Sequence, residues 1–187
     1  AAATAVLTGA LLVGDSMRGS LLNLTLQRLG RIDAALAADR FFRAALADEL
    51  AAAAEFSEHF TDAVPAVFVQ ATLESADAER RRRVNEVNLL GCDMRFWQLG
   101  SGGPEQMPGR RWIVLNRPAA DELGVSQGDA VLVRLPRPSN IPADSPLGRK
   151  TETIESVRVQ VEAIVPAEGL GRFALRPSQR TPANAYM

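Results

Sequence analysis

The chain opens on a run, residues 1–14, that is apolar or small and uncharged, and that breaks at Asp15. Asp15 and Ser16 are good helix caps. Behind them Leu22, Leu26 and Leu29 recur at helical spacing, with Gly30 where a left-handed glycine would end the helix. The pattern predicts a helix over residues 17–29. Ile32, Ala34, Leu36 and Ala38 then alternate with polar or small residues, the period of a half-buried strand. Asp39 can cap a second helix reaching about residue 54, with Phe42, Leu46 and Leu50 as its core stripe. Helix, strand, helix excludes an all-β domain.

Residues 64–75 and 83–91 are β-prone runs joined by a polar stretch, so they predict a hairpin with a solvated, arginine-rich tip. Asp93 caps a helical turn over residues 94–99 that carries Phe96 and Trp97 toward the core. Residues 100–109 are rich in glycine and proline without apolar periodicity, which marks them as the boundary between two lobes. Beyond it come a strand over 112–116, a short helix over 118–123 with Pro118 in its first turn, a turn over 124–129, and a strand over 130–135. A loop stiffened by Pro136, Pro138, Pro142 and Pro146 leads to a long strand over 153–165. There Val157, Val159, Val161 and Ala163 alternate. Residues 168–187 have little periodicity, and no internal repeat is present.

Composition narrows the chemistry. A 187-residue chain with 47% hydrophobic residues can bury a real core. A net charge of −1 and aromatic content of 5% disfavour a dedicated nucleic-acid binder, which would carry a basic surplus and stacking platforms. His59 is the only histidine and Cys92 the only cysteine, too few for a multi-His/Cys zinc shell and no basis for an intramolecular disulfide. His59 lies in a polar stretch and reads as an exposed residue at a loop or helix end. Cys92, without a basic neighbour, reads as a small buried apolar residue rather than an activated thiolate. No carboxylate pair stands in an apolar setting, and no nucleophile elbow is present. Gly100-Ser101-Gly102-Gly103 and Gly169-Leu170-Gly171 read as turns, since neither has the flanking residues of a phosphate loop. The sequence therefore predicts no catalytic residues, no cofactor site and no metal site. Arg80, Arg81, Arg82 and Arg83 form the one charge run, a solvated hairpin tip or a contact for an acidic partner.

Several segments together resemble one family. These are residues 6–21 (VLTGALLVGDSMRGSL), Arg40-Phe41-Phe42-Arg43, residues 88–93 (NLLGCD) with Phe96 and Trp97, and Val114-Leu115-Asn116 through Gly128-Asp129. Residues 144–150 (DSPLGRK) and 168–173 (EGLGRF) complete the set. In this order they resemble the extracytoplasmic domain of FtsX-like and MacB-like ABC transporter permeases of bacteria.

The resemblance implies an α+β fold with two lobes, a mixed α/β lobe around a stalk helix and a smaller β-rich lobe. Residues 1–15 would then end a first transmembrane helix, residues 16–99 form the mixed lobe and 110–165 the β-rich one. Residues 166–187 would return toward a second membrane helix. It also implies a place on the outer side of the cytoplasmic membrane and a cytoplasmic ATPase as partner through the parent permease. Further copies of the permease and an outer accessory protein are the other partners implied. No role with nucleic acid follows. Leu22, Leu26 and Leu29 are then expected as the packing seam between stalk and lobe. Two other classes compete: a soluble enzyme subunit on a double-psi-like barrel, and a swapped-hairpin DNA-binding module. Both would use the helix, glycine turn, strand cassette of residues 114–133.

Overall fold

A computed structural model describes residues 2–38, 40–77, 79, 81–136, 154–175 and 180–187. Its first element is α1 (Ala2–Leu29), a single helix of 28 residues and about 42 Å. Asp15 and Ser16 lie inside it and cap nothing, because the preceding residues are themselves helical. The predicted start at residue 17 is thus corrected to Ala2. Gly9, Gly14 and Gly19 are tolerated in mid-helix, where no neighbouring group stands within 4 Å of the position a Cβ would take. The helix does end at Gly30, with φ +59 and its N–H donated to Leu26 O at 2.9 Å. Among the described residues no helix is long and apolar enough to cross a membrane.

Residues 31–38 are irregular, not a strand. Their alternation is real, but among the described residues no strand runs beside them to complete a ladder. The second helix is also shorter than predicted. It is split into α2 (Ala45–Ala51) and α3 (Ala54–Ser57), and Phe42 and Leu50 are exposed while Ala47 is the buried residue. The predicted cap, Asp39, lies outside the described residues.

The rest of the described chain builds a closed six-stranded barrel with neighbour order β1, β2, β6, β3, β5, β4. The expected hairpin is β1 (Ala66–Ser75) and β2 (Arg83–Cys92), antiparallel from Ala66 opposite Cys92 to Glu74 opposite Arg83. A bulge interrupts it after Ala71, and there Glu86 adopts φ 56, a conformation that costs a non-glycine residue about 1–3 kcal/mol. After β2 comes α4 (Met94–Gln98), capped as expected by Asp93, whose side chain accepts from the Arg95 N–H.

β3 (Trp112–Asn116), α5 (Arg117–Leu123) and β4 (Ala130–Pro136) follow as predicted. Gly124 takes the left-handed cap at φ 66. β5 (Ile154–Val165) is antiparallel to β4 and parallel to β3. The last strand, β6 (Asn184–Tyr186), slots between β2 and β3, parallel to the first and antiparallel to the second. Pairing of β1 with β4 closes the barrel.

Strands from both sides of residues 100–109 therefore pair with one another. Glycine and proline there mark a loop within the barrel, and the predicted lobe boundary does not separate its strands. The described chain is α+β, with five α-helices and a six-stranded barrel. The proline-rich stretch, with Lys150, falls in residues 137–153, outside the described residues.

The barrel interior is aliphatic. Leu73, Val87, Ile113, Leu115, Val131, Val133, Val159 and Val161 are all fully buried in one cluster. Ala119, Ala120 and Leu123 of α5 join the same cluster, so this short helix plugs the barrel end at which β3 finishes and β4 begins. A second cluster, richer in aromatics, holds Leu90, Phe96, Trp97, Val114, Val165, Leu170, Phe173 and Tyr186. Leu90 and Leu89 belong to different clusters, as do Val114 and Leu115. The second cluster is thus a layer on the outside of β2, β6 and β3.

Candidate functional site

The expected stalk seam is only partly present. Leu29 packs on the aromatic layer, but Leu22 and Leu26 are 59% and 57% exposed. The half-buried positions of the helix end are Thr25, Arg28 and Leu29, followed by Ile32. The leucine spacing marks a helical face correctly, but the last turn docks through an adjacent face.

That last turn meets the layer at a site made largely of glycine backbone. The Arg31 N–H donates to Leu99 O at 2.7 Å, and a Cβ added to Gly30 would collide with the same carbonyl. Behind Leu99 the turn of residues 100–103 interlocks with a 3-10 turn, Gly169–Arg172. Leu170 N–H donates to Ser101 O at 2.8 Å. A Cβ on Gly169 would strike Ser101 O, one on Gly102 would come within 2.5 Å of Glu168 O, and one on Gly100 within 2.9 Å of the Leu170 side chain. Gly102 and Gly169 have φ +87 and +51, so both need glycine on conformational grounds as well. The two glycine motifs that read as unrelated turns are one contact.

Beneath this contact lies a polar network that runs from exposed Gln70 at the surface to Asn88, Asn116, Asn184 and Tyr186, which are buried. Gln70, Asn88 and Asn184 sit at matching register on β1, β2 and β6 and join through their amides. Gln70 Nε2 donates to Asn88 Oδ1 at 2.7 Å, and Asn88 Nδ2 to Asn184 Oδ1 at 3.0 Å. Asn184 Nδ2 donates to Phe173 O and to the Tyr186 hydroxyl, which itself donates to Leu170 O at 2.6 Å. Asn116 Oδ1 accepts from the Asn184 and Ala119 N–H groups, while its Nδ2 donates to Pro182 O and Gly171 O.

Asn116 is therefore at once the cap of α5 and the anchor of the 3-10 turn. Burial raises the Tyr186 pKa above its ordinary value, and the bond from Asn184 offsets this only in part. With its donors and acceptors matched this way, the network is suited to holding chain segments together rather than to moving protons.

Around it stand the aromatics. Trp97 and Tyr186 have ring centroids 4.5 Å apart, and Phe96 meets Phe173 edge-on at 5.3 Å. Arg95 at the rim ties α4 to α2, reaching Asp93 at 2.8 Å and Asp48 at 2.9 Å. Sequence reasoning placed Phe96 and Trp97 correctly. It missed Asn88, Asn116, Asn184 and Tyr186. Only Asn116 had a usable signal, an asparagine just before the arginine and proline that start a helix.

The other predicted positions are scattered. His59 is exposed in a turn after α3. Cys92 is half-buried, and burial together with the Asp93 carboxylate pushes its thiol up to about 12. Arg81, Arg82 and Arg83 are exposed, and the Arg82 guanidinium lies against Gly124 at the end of α5. Arg80 lies outside the described residues. Among the described residues no group of three or more His, Cys, Asp or Glu is placed to hold a metal ion. Comparison with models of known protein families and with curated proteins finds no match for the chain.

Proposed function

We propose that the chain is the extracytoplasmic domain of a bacterial ABC transporter permease of the FtsX-like and MacB-like kind. One observation carries this assignment: α1 runs without a break from the apolar opening, past Asp15, to the glycine contact on the barrel. Leu11, Leu12 and Val13 are all exposed, and consecutive helical residues point in three directions. A stretch apolar on every side suits lipid or other helices better than water, whereas a helix lying on a domain needs only one apolar face.

In this proposal α1 leaves the outer face of the cytoplasmic membrane and bears the barrel. A cytoplasmic ATPase, acting through the parent permease, moves the helix. The domain relays that motion to substrate export or to an outer accessory protein, and permease copies act together. The two-lobed architecture of the family belongs to the same proposal, with the barrel supplying the β-rich part.

The closed barrel favours one other reading, a soluble enzyme subunit on a double-psi-like barrel. Such an enzyme calls for a pocket lined by paired acids. Among the described residues the buried polar side chains are Ser75, Asn88, Asn116 and Asn184, with the Tyr186 hydroxyl, all neutral, and the barrel interior is filled with aliphatic groups.

The deciding experiment separates the complete gene product into membrane and soluble fractions and probes intact spheroplasts with protease. The transporter assignment predicts membrane retention with the barrel cut from outside. Recovery of the complete product in the soluble cytosolic fraction would overturn it.

A further inference from the structure

We propose that Gly30, the turn of residues 100–103 and the 3-10 turn Gly169–Arg172 form a stiff joint that alone sets the direction of α1 relative to the barrel. The large apolar side chains from Leu11 to Leu26 are exposed, so the shaft of the helix is not braced along its length by the described residues. Among the described residues its support lies at the C-terminal end, where Thr25 and Arg28 are half-buried, Leu29 meets the aromatic layer, and Gly30 and Arg31 meet Leu99. A helix held at one end keeps a fixed direction only if that end cannot rock.

Side-chain contacts allow rocking, because rotamers exchange quickly. Backbone packed directly on backbone does not. The contacts here are of the second sort: Gly30 on Leu99 O, Gly102 on Glu168 O and Gly169 on Ser101 O, with hydrogen bonds from Arg31 and Leu170 across the same seams. The joint is also anchored from below. Leu170 O accepts from Tyr186, and Gly171 O accepts from Asn116, so the neighbouring strands β6 and β3 hold the 3-10 turn in place. Force applied along or across α1 reaches β3 and β6 through this route. The use of the joint as a relay rests on the transporter assignment, whereas its stiffness does not.

The test is a distance measurement on the 187-residue chain in mild detergent. Spin labels go at Leu22→Cys on the helix shaft and Glu122→Cys on the exposed side of α5, with Cys92→Ala to remove the native thiol. Pulsed electron resonance is expected to give one narrow distance distribution. Adding Gly169→Ala, or separately Gly102→Ala, is expected to destroy that narrow peak while far-UV circular dichroism and a cooperative urea transition keep the barrel's signature. Should a glycine variant lose that signature, Leu170→Ala, which loosens the same contact without backbone strain, takes its place with the same expectation.

A broad distribution in the unsubstituted joint would overturn the inference, and so would an unchanged narrow peak in the joint variants. Since the distances are read on the chain alone, a stiff joint in a protein that proves cytosolic would sink the proposed function and leave the inference standing.

Discussion

The two buried clusters of this molecule rest on different physics. The barrel interior is Leu, Ile, Val and Ala, and it is held by area removed from water. The outer layer under α1 holds aromatics, buried amides and glycine turns, and it depends on matched hydrogen bonds and on backbones that approach closely. An aliphatic interior tolerates a change of shape if volume is kept. A layer built from amides and glycines has no such slack, because each partner is specified by geometry. The difference places the molecule's specificity outside the barrel, at the surface where the helix docks.

The two layers are expected to respond differently to substitution. The largest effect is expected from Asn184→Ala, which strands Asn88 Nδ2 and Phe173 O in a buried setting and removes a donor to Tyr186. At about 1–3 kcal/mol for each buried group left unmatched, a loss of about 4 kcal/mol in urea-unfolding free energy is expected. Next comes Leu115→Ala in the interior, where a fully buried leucine is expected to cost about 3 kcal/mol, with the transition still cooperative. If the interior change proved clearly the more damaging, the outer layer would not be the more exacting of the two.

A smaller effect is expected from pH. In the folded chain the Cys92 thiol titrates at about 12, against an ordinary value of 9.0, and burial also raises Tyr186. Both groups are kept neutral by the fold while the unfolded chain can ionise. The Cys92 contribution is complete below about pH 9 and is lost as pH rises from 9 toward 12, and that of Tyr186 begins to be lost above its ordinary value of 10.0. The urea midpoint should therefore fall between pH 8.5 and pH 10.5, roughly the window in which only the unfolded chain ionises, and fall less in Cys92→Ala. The smallest effects belong to the helix shaft. Leu22→Ala and Leu26→Ala are each expected to change stability by less than about 0.5 kcal/mol, as exposed positions do. Leu29→Ala, which uncovers the aromatic layer, is expected to cost about 1–2 kcal/mol in the same urea series.

How far the fold could be read in advance follows the same division. The cassette from β3 through α5 to β4 was predicted because the signals used are local: Pro118 in the first turn, Gly124 as the left-handed cap, and alternation afterwards. The β1–β2 hairpin and the α4 turn were predicted for the same reason. β6 was not, because three residues carry no periodicity, and Asn184 and Tyr186 are buried only by partners on β2 and β3 distant in the chain.

Residues 31–38 failed in the opposite way, having the right alternation and no neighbouring strand among the described residues. The glycine contact was invisible because its two turns lie far apart in the chain, and each alone looks like any surface turn. Asp15 misled because a polar residue after an apolar run resembles a cap whether or not the helix has already begun. The seam over Leu22, Leu26 and Leu29 was drawn from spacing, and spacing identifies a face without saying what that face touches.

Amide hydrogen exchange along α1, resolved residue by residue, tests the docking account most directly. Docking at one end predicts that amides of residues 26–31 are protected to the level of Leu170 and Gly171, and that those of residues 11–21 exchange markedly faster. Exchange at residues 26–31 as fast as in the shaft, with the barrel still protected, would contradict it.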